Sequence, residues 1–152
     1  MRLWSWLLVL PAVLVACGDK AAVSLTATMP EAQVSVEEGV FGAALAGSFR
    51  IELALGNEAS GSTSVSIGNF SLQTEAGASL VDVLKPETDT PFPVQLDKGE
   101  LKSVSFKLRE EGVDRDALCA GKLRIVGSVM DSLKGATDPI RSPLITPSCD
   151  AT

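Results

Sequence analysis

Apolar and polar residues alternate along most of this chain. Phe49, Ile51, Leu53 and Leu55 alternate with Arg50, Glu52, Ala54 and Gly56. Val65 and Ile67 share one parity; Phe70 and Leu72 resume on the other after Gly68-Asn69, an offset that predicts a β-bulge. Val104, Phe106 and Leu108 alternate with Ser103, Ser105, Lys107 and Arg109, and Leu123, Ile125 and Val129 share a parity with Gly127 between them. Period two puts one face of a segment in a core and the other in water, so each run predicts a half-buried strand. Shorter strands are predicted over Val23–Thr28, Gln33–Val36, Ser79–Leu84, Val94–Leu96 and Ile140–Thr146, and a helical turn near Gly112–Leu118.

Turn residues separate these runs: Glu37-Glu38-Gly39, Gly56-Asn57 with Gly61, Glu75-Ala76-Gly77, Lys85-Pro86, Asp97-Lys98-Gly99 and Lys134-Gly135. They recur every 10–14 residues or so, the rhythm of an antiparallel sandwich. Each strand has one apolar face that needs a covering layer, which predicts an all-β fold of two antiparallel sheets packed face to face. The rhythm resembles that of a bacterial immunoglobulin-like sandwich. The core Trp of antibody-type domains is missing, because Trp4 and Trp6 both lie near the N-terminus.

The N-terminus follows a different pattern. Arg2 is followed by an apolar stretch, Leu3 to Val15, broken only by Ser5 and Pro11. The stretch is shorter than the roughly 20 residues a helix needs to span a bilayer, and it has the layout of an export signal. It ends in Leu14-Val15-Ala16-Cys17. This string resembles the lipobox of bacterial lipoproteins. The resemblance implies a signal peptide over residues 1–16, lipid attachment at Cys17, a tether over 17–22 and a folded domain over 23–152. It also implies the cell envelope as location. Gly18 rather than Asp follows the Cys, which by the family's sorting rule leans towards the outer membrane.

With Cys17 assigned to lipid, Cys119 and Cys149 remain as a pair. An exported protein meets an oxidising compartment, so a disulfide between them is expected, with two free thiols as the alternative. If the two face each other in a hairpin, paired residue numbers sum to 268 and the turn centres on Lys134. Pro139, Pro143 and Pro147 would then turn their donorless nitrogens towards an open edge. A bridge between sheets is the competing arrangement.

Composition narrows the chemistry. The net charge is −6, which argues against nucleic acid as a partner. Removing residues 1–16 takes away only Arg2 among the charges and leaves −7. There is no His, so His-dependent triads and His zinc sites are excluded. The densest acidic cluster is Glu110-Glu111 with Asp114 and Asp116; Glu110, Asp114 and Asp116 are calcium candidates, with Arg109 and Arg115 competing for the same carboxylates. Glu87 and Asp89, between Pro86 and Pro91, read as a loop. Ser132 and Lys134 fall in the expected turn, without a nucleophile motif around them. Asn69-Phe70-Ser71 reads as a chance sequon, and Met29 and Met130 as core or strand-end residues.

The expectation is therefore a non-enzymatic module without cofactor. It is held to the membrane by lipid on Cys17 and meets an unidentified envelope protein through loops or a sheet edge. The alternatives are a calcium- or ligand-binding domain using the 110–116 loop and, more remotely, a carboxylate hydrolase.

Overall fold

The computed structural model describes residues 25–40 and 42–149. The expected signal, Cys17, the tether and the first residues of the expected Val23–Thr28 strand lie outside the described residues. Nine strands and one short helix follow in order: β1 (Leu25–Gly39), β2 (Gly42–Leu55), β3 (Thr63–Thr74), β4 (Ser79–Leu84), β5 (Val94–Leu96), β6 (Leu101–Val113), α1 (Arg115–Cys119), β7 (Leu123–Asp131), β8 (Ala136–Arg141) and β9 (Ser148–Cys149).

They form two sheets. The first has the order β6-β2-β1-β9, and the second β4-β3-β7-β8 with β5 paired to β3. All pairings are antiparallel except β1 with β9. The alternating residues named above close the core between the sheets: Ile51, Leu53, Val65, Leu72, Val104 and Ile125 are essentially inaccessible. Three phenylalanines meet in this core. Phe49 and Phe106 of the first sheet stack with centroids 4.7 Å apart, and Phe70 of the second meets them at 5.1 and 5.3 Å. The expected all-β sandwich is the fold.

Several local readings hold. The Gly68-Asn69 offset is a bulge: the β3–β7 register shifts between Gly68 and Ser71, and Asn69 takes a left-handed φ of 53°. The strands Ser79–Leu84 and Val94–Leu96 are β4 and β5. The helical turn is α1, where Asp114 caps the helix by accepting from the Ala117 N–H at 3.1 Å.

Three readings need correction. The two expected N-terminal strands are one, because β1 runs to Gly39 with only a register shift between Thr28 and Glu31. Pro30 sits in that shift and has no N–H for the ladder. Glu37 and Glu38 stay in the strand, and the turn lies beyond them between Gly39 and Gly42, where Gly42 adopts a φ of 113°.

The third correction concerns the last hairpin. Its paired numbers sum to 267, as in Val126 with Arg141 and Asp131 with Ala136, one residue off the expected register. Asp131 decides the turn: its backbone carbonyl accepts from the Gly135 N–H at 2.8 Å, and its side chain accepts from the Leu133 N–H at 2.9 Å. The ladder continues to the bond from the Ser142 N–H to the Ile125 carbonyl and touches again only at Leu123 with Ile145. The return bond is lost there, because the Ile125 N–H donates to Ser142 Oγ at 3.0 Å instead of to a backbone carbonyl. The chain then leaves this sheet, and Ser148 and Cys149 pair in parallel with Ser35 and Val36 of β1. Cys119 ends α1 and so does not face Cys149 in a hairpin. Pro139 alone behaves as expected. It lies opposite Ser128 in the edge strand β8, and alternation from the Ser142–Ile125 bond turns its nitrogen outward.

Both sheets share their ends. Leu55, Glu100, Thr63 and Leu96 meet at the end where β1 begins. The Gly39–Gly42 turn, α1 and Cys149 lie at the other. β1 covers about 45 Å between them at ~3.3 Å per residue.

Candidate functional site

Among the described residues a concavity flanks the outer edge of β6. Lys85-Pro86 ends β4, and the chain crosses to the edge of the opposite sheet. The Lys85 N–H donates to Glu110 Oε1 at 3.0 Å. Glu87 then pairs with Lys107 through two backbone bonds of 2.8 Å each. The Thr90 N–H donates to Thr88 Oγ1 at 3.2 Å and tightens the loop. Phe92 follows, its ring near-parallel to that of buried Phe106 with centroids 6.1 Å apart. Phe92 is nevertheless 37% exposed. The result is a groove of about 630 Å³ whose walls carry Phe92, Glu87, Asp89, Thr88, Thr90, Ser105 and Lys107. One apolar ring face lies beside convergent polar groups, a mostly polar lining unlike the mostly apolar one of a small-molecule cleft. Among the described residues neither Glu87 nor Asp89 is in an ion pair.

The sequence reading took Glu87 and Asp89 as a plain loop and missed this groove. The available signal was Phe92, an aromatic off core parity and set between Pro91 and Pro93 in a chain with only five Phe.

The calcium candidates are given separate tasks. Glu110 receives the Lys85 N–H, Asp114 caps α1, and neighbouring Glu111 binds Arg109 at 3.0 Å. Asp114 and Asp116 border a shallow hollow with Glu38 and Arg115, on which Glu110 does not open. No group of three or more His, Cys, Asp or Glu side chains converges among the described residues.

The Cys119 and Cys149 sulfurs are at bonding distance, with Cα atoms 6.2 Å apart. This bridge ties α1, at the end of β6, to β9 on the far edge of the same sheet. Cys17 lies outside the described residues. Among those described, no helix is long and apolar enough to cross a membrane.

Hydroxyl and carboxylate chemistry gathers once more, at the start of β3. Thr63 Oγ1 donates to Asp131 Oδ1, and Ser132 Oγ lies 3.2 Å from Thr63 Oγ1 and accepts from the Ser64 N–H at 2.9 Å. Asp131 is only 3% exposed, and its Oδ2 has no partner among the described residues. Lys134 binds Asp138 at 2.8 Å rather than Ser132. The cluster closes a turn.

Comparison with family models, with curated proteins and with solved structures yields no match.

Proposed function

We propose that this chain is a lipid-anchored protein of the bacterial cell envelope, acting as a non-enzymatic binding or structural module. The observation that carries this reading is Leu14-Val15-Ala16-Cys17 at the end of a short apolar run that begins with one Arg. Cys17 would take the lipid and become the first residue of the mature chain. Acyl chains contribute about 0.8 kcal/mol per buried methylene, so two or three hold a protein that carries no other membrane affinity. An acidic domain gains nothing from an anionic surface and depends on such an anchor. The pairing of the two remaining cysteines supports passage through an oxidising compartment.

The domain is proposed to be immunoglobulin-like. Its strand order supports this. With β1, β2 and β6 as strands A, B and E, and β3, β7 and β8 as C, F and G, the sheets read E-B-A and C-F-G, and β4 extends the second beside C. The outer membrane is the proposed location, on Gly18.

The test is the mass of the mature N-terminus after expression in a bacterium with lipoprotein export. A chain beginning at Cys17 with added acyl mass, accumulating as precursor under globomycin and extracted only by detergent, is the expected result. A mature chain starting elsewhere and free of detergent overturns the reading.

A further inference from the structure

We infer that the lower half of the β6 edge, with the Phe92 groove beside it, is a strand-addition site for an extended basic peptide segment of a partner protein. The inference rests on the reading of this domain as a binding module, and it names the surface and the chemistry of the partner.

Backbone parity locates the free groups. The Leu55 N–H donates to the Glu100 carbonyl at 3.0 Å, so Glu100, Lys102, Val104 and Phe106 address β2. Glu87 takes both backbone groups of Lys107 from the opposite side. Leu101, Ser103 and Ser105 share the parity of Lys107 and point their N–H and C=O the same way. Among the described residues no backbone group meets them there. The chain thus fills this edge at one residue and leaves the next three outward-facing ones open.

The other edges are blunted. β8 carries Pro139, and β1 carries Pro30 and is covered at Ser35 and Val36 by β9. β4 runs only 6 residues, with register shifts against β3. β6 has no proline in its 13 residues. Its guarding lysine is held aside: Lys102 Nζ binds Glu100 at 3.1 Å and the Gln95 carbonyl at 2.5 Å. Lys107, the other lysine of this strand, stands where Glu87 already fills the edge. A free, regular edge without proline is one that accepts a further strand.

The groove chooses the occupant. Leu101 is 67% exposed beside this edge, and Phe92 offers a ring face along it. An added strand presents alternate side chains to one face, so one apolar side chain meets Phe92 while its neighbours on that face meet Glu87 and Asp89. Those two carboxylates outnumber the one lysine of the groove, Lys107, and on a chain of net charge −6 they select Lys or Arg over Asp or Glu.

The probe is a pooled library of eight-residue peptides alternating Val, Leu or Phe with Lys, Arg or Thr, added to the full chain in mild detergent. Amide hydrogen exchange is read residue by residue. The expected result is selective slowing of exchange at Leu101, Ser103 and Ser105, lost in Phe92→Ser and weakened in Asp89→Lys. Both of these variants alter exposed residues, and unchanged core exchange confirms their folding. The same pool with Pro at alternate positions is expected to give no slowing. Absence of slowing with the first pool, or equal slowing with the proline pool, overturns the inference. Slowing that needs only a higher protein concentration overturns it in favour of a second copy of this chain. These readouts do not depend on the N-terminal mass, so failure of the anchor and failure of the edge site are told apart.

Discussion

Gly127 of β7 faces the ring of Phe70 across the β3–β7 pair: a Cβ at position 127 would stand 2.6 Å from Phe70 Cε1 and 2.7 Å from Cδ1. The ring cannot retreat, because Phe49 and Phe106 pack against it. Gly127→Ala is therefore expected to cost about 1–3 kcal/mol through overpacking. Gly121→Ala, where a Cβ meets nothing within 4 Å, is expected to be close to neutral. Urea unfolding checks both: the Gly127 variant should lower the midpoint at an unchanged slope. Equal midpoints for the two variants would contradict the close approach.

Cys119 and Cys149 close a loop with a sequence separation of 30. In the chain-entropy description such a loop contributes roughly 3–4 kcal/mol. Cys119→Ser, Cys149→Ser and the double variant are expected to lose the same amount, because each breaks the same bond. Reductant should destabilise the native chain to their level and leave the variants unmoved. Denaturant titration with and without reductant reads this directly. A double variant losing twice the single value would show that the thiols contribute independently.

Thr63 and Asp131 are a buried pair from adjacent strands, and the Asp131 carboxylate also holds the Leu133 N–H. Thr63→Val removes a donor from a carboxylate that water cannot reach. The expected cost is about 1–3 kcal/mol, with Thr63→Ser losing much less. Asp131→Ala releases the same turn, so the losses from Thr63→Val and Asp131→Ala should fall short of additive in a double-mutant cycle. Additive losses would mean that the two side chains do not interact.

Glu100 gives a pH dependence of known sign. The Asp97 N–H donates to its Oε2 at 2.7 Å, and with the Lys102 ammonium this holds the carboxyl below its ordinary value of 4.5. A carboxyl lowered in the folded state stabilises it above the unfolded value, and that contribution disappears as the pH falls through the folded value. Native chain is therefore expected to exceed Glu100→Gln in stability at neutral pH, with the difference closing on acidification below 4.5. Carboxyl titration by NMR should place the Glu100 midpoint beneath 4.5. A midpoint at the ordinary value would remove the basis of the effect.

Much of the fold was legible because period-two alternation records which face meets the core. Phe49, Phe70 and Phe106 were placed on core parity from this alone, and the structure gathers them into one stack. The bulge at Asn69 was visible because one extra residue reverses parity. The groove was less legible. The positions of Glu87 and Phe92 depend on a crossing between sheets that leaves no periodic trace, since the segment pairs at a single residue.

The sequence by itself carried most of the strands and their buried faces, because these follow from local alternation, and it holds the Cys119 and Cys149 that the structure joins. It also contains the lipobox-like string on which the proposed location stands. Tertiary structure alone decided that β9 leaves the hairpin for β1, so that the disulfide joins α1 to a sheet edge. It alone decided that the acidic 110–116 segment is divided among a loop, a cap and an arginine, and that Leu101, Ser103 and Ser105 of β6 meet no backbone partner on their outer side among the described residues. The reason is physical: backbone pairing between distant segments depends on which donors are left unmet after the core has closed, and no local pattern encodes that remainder.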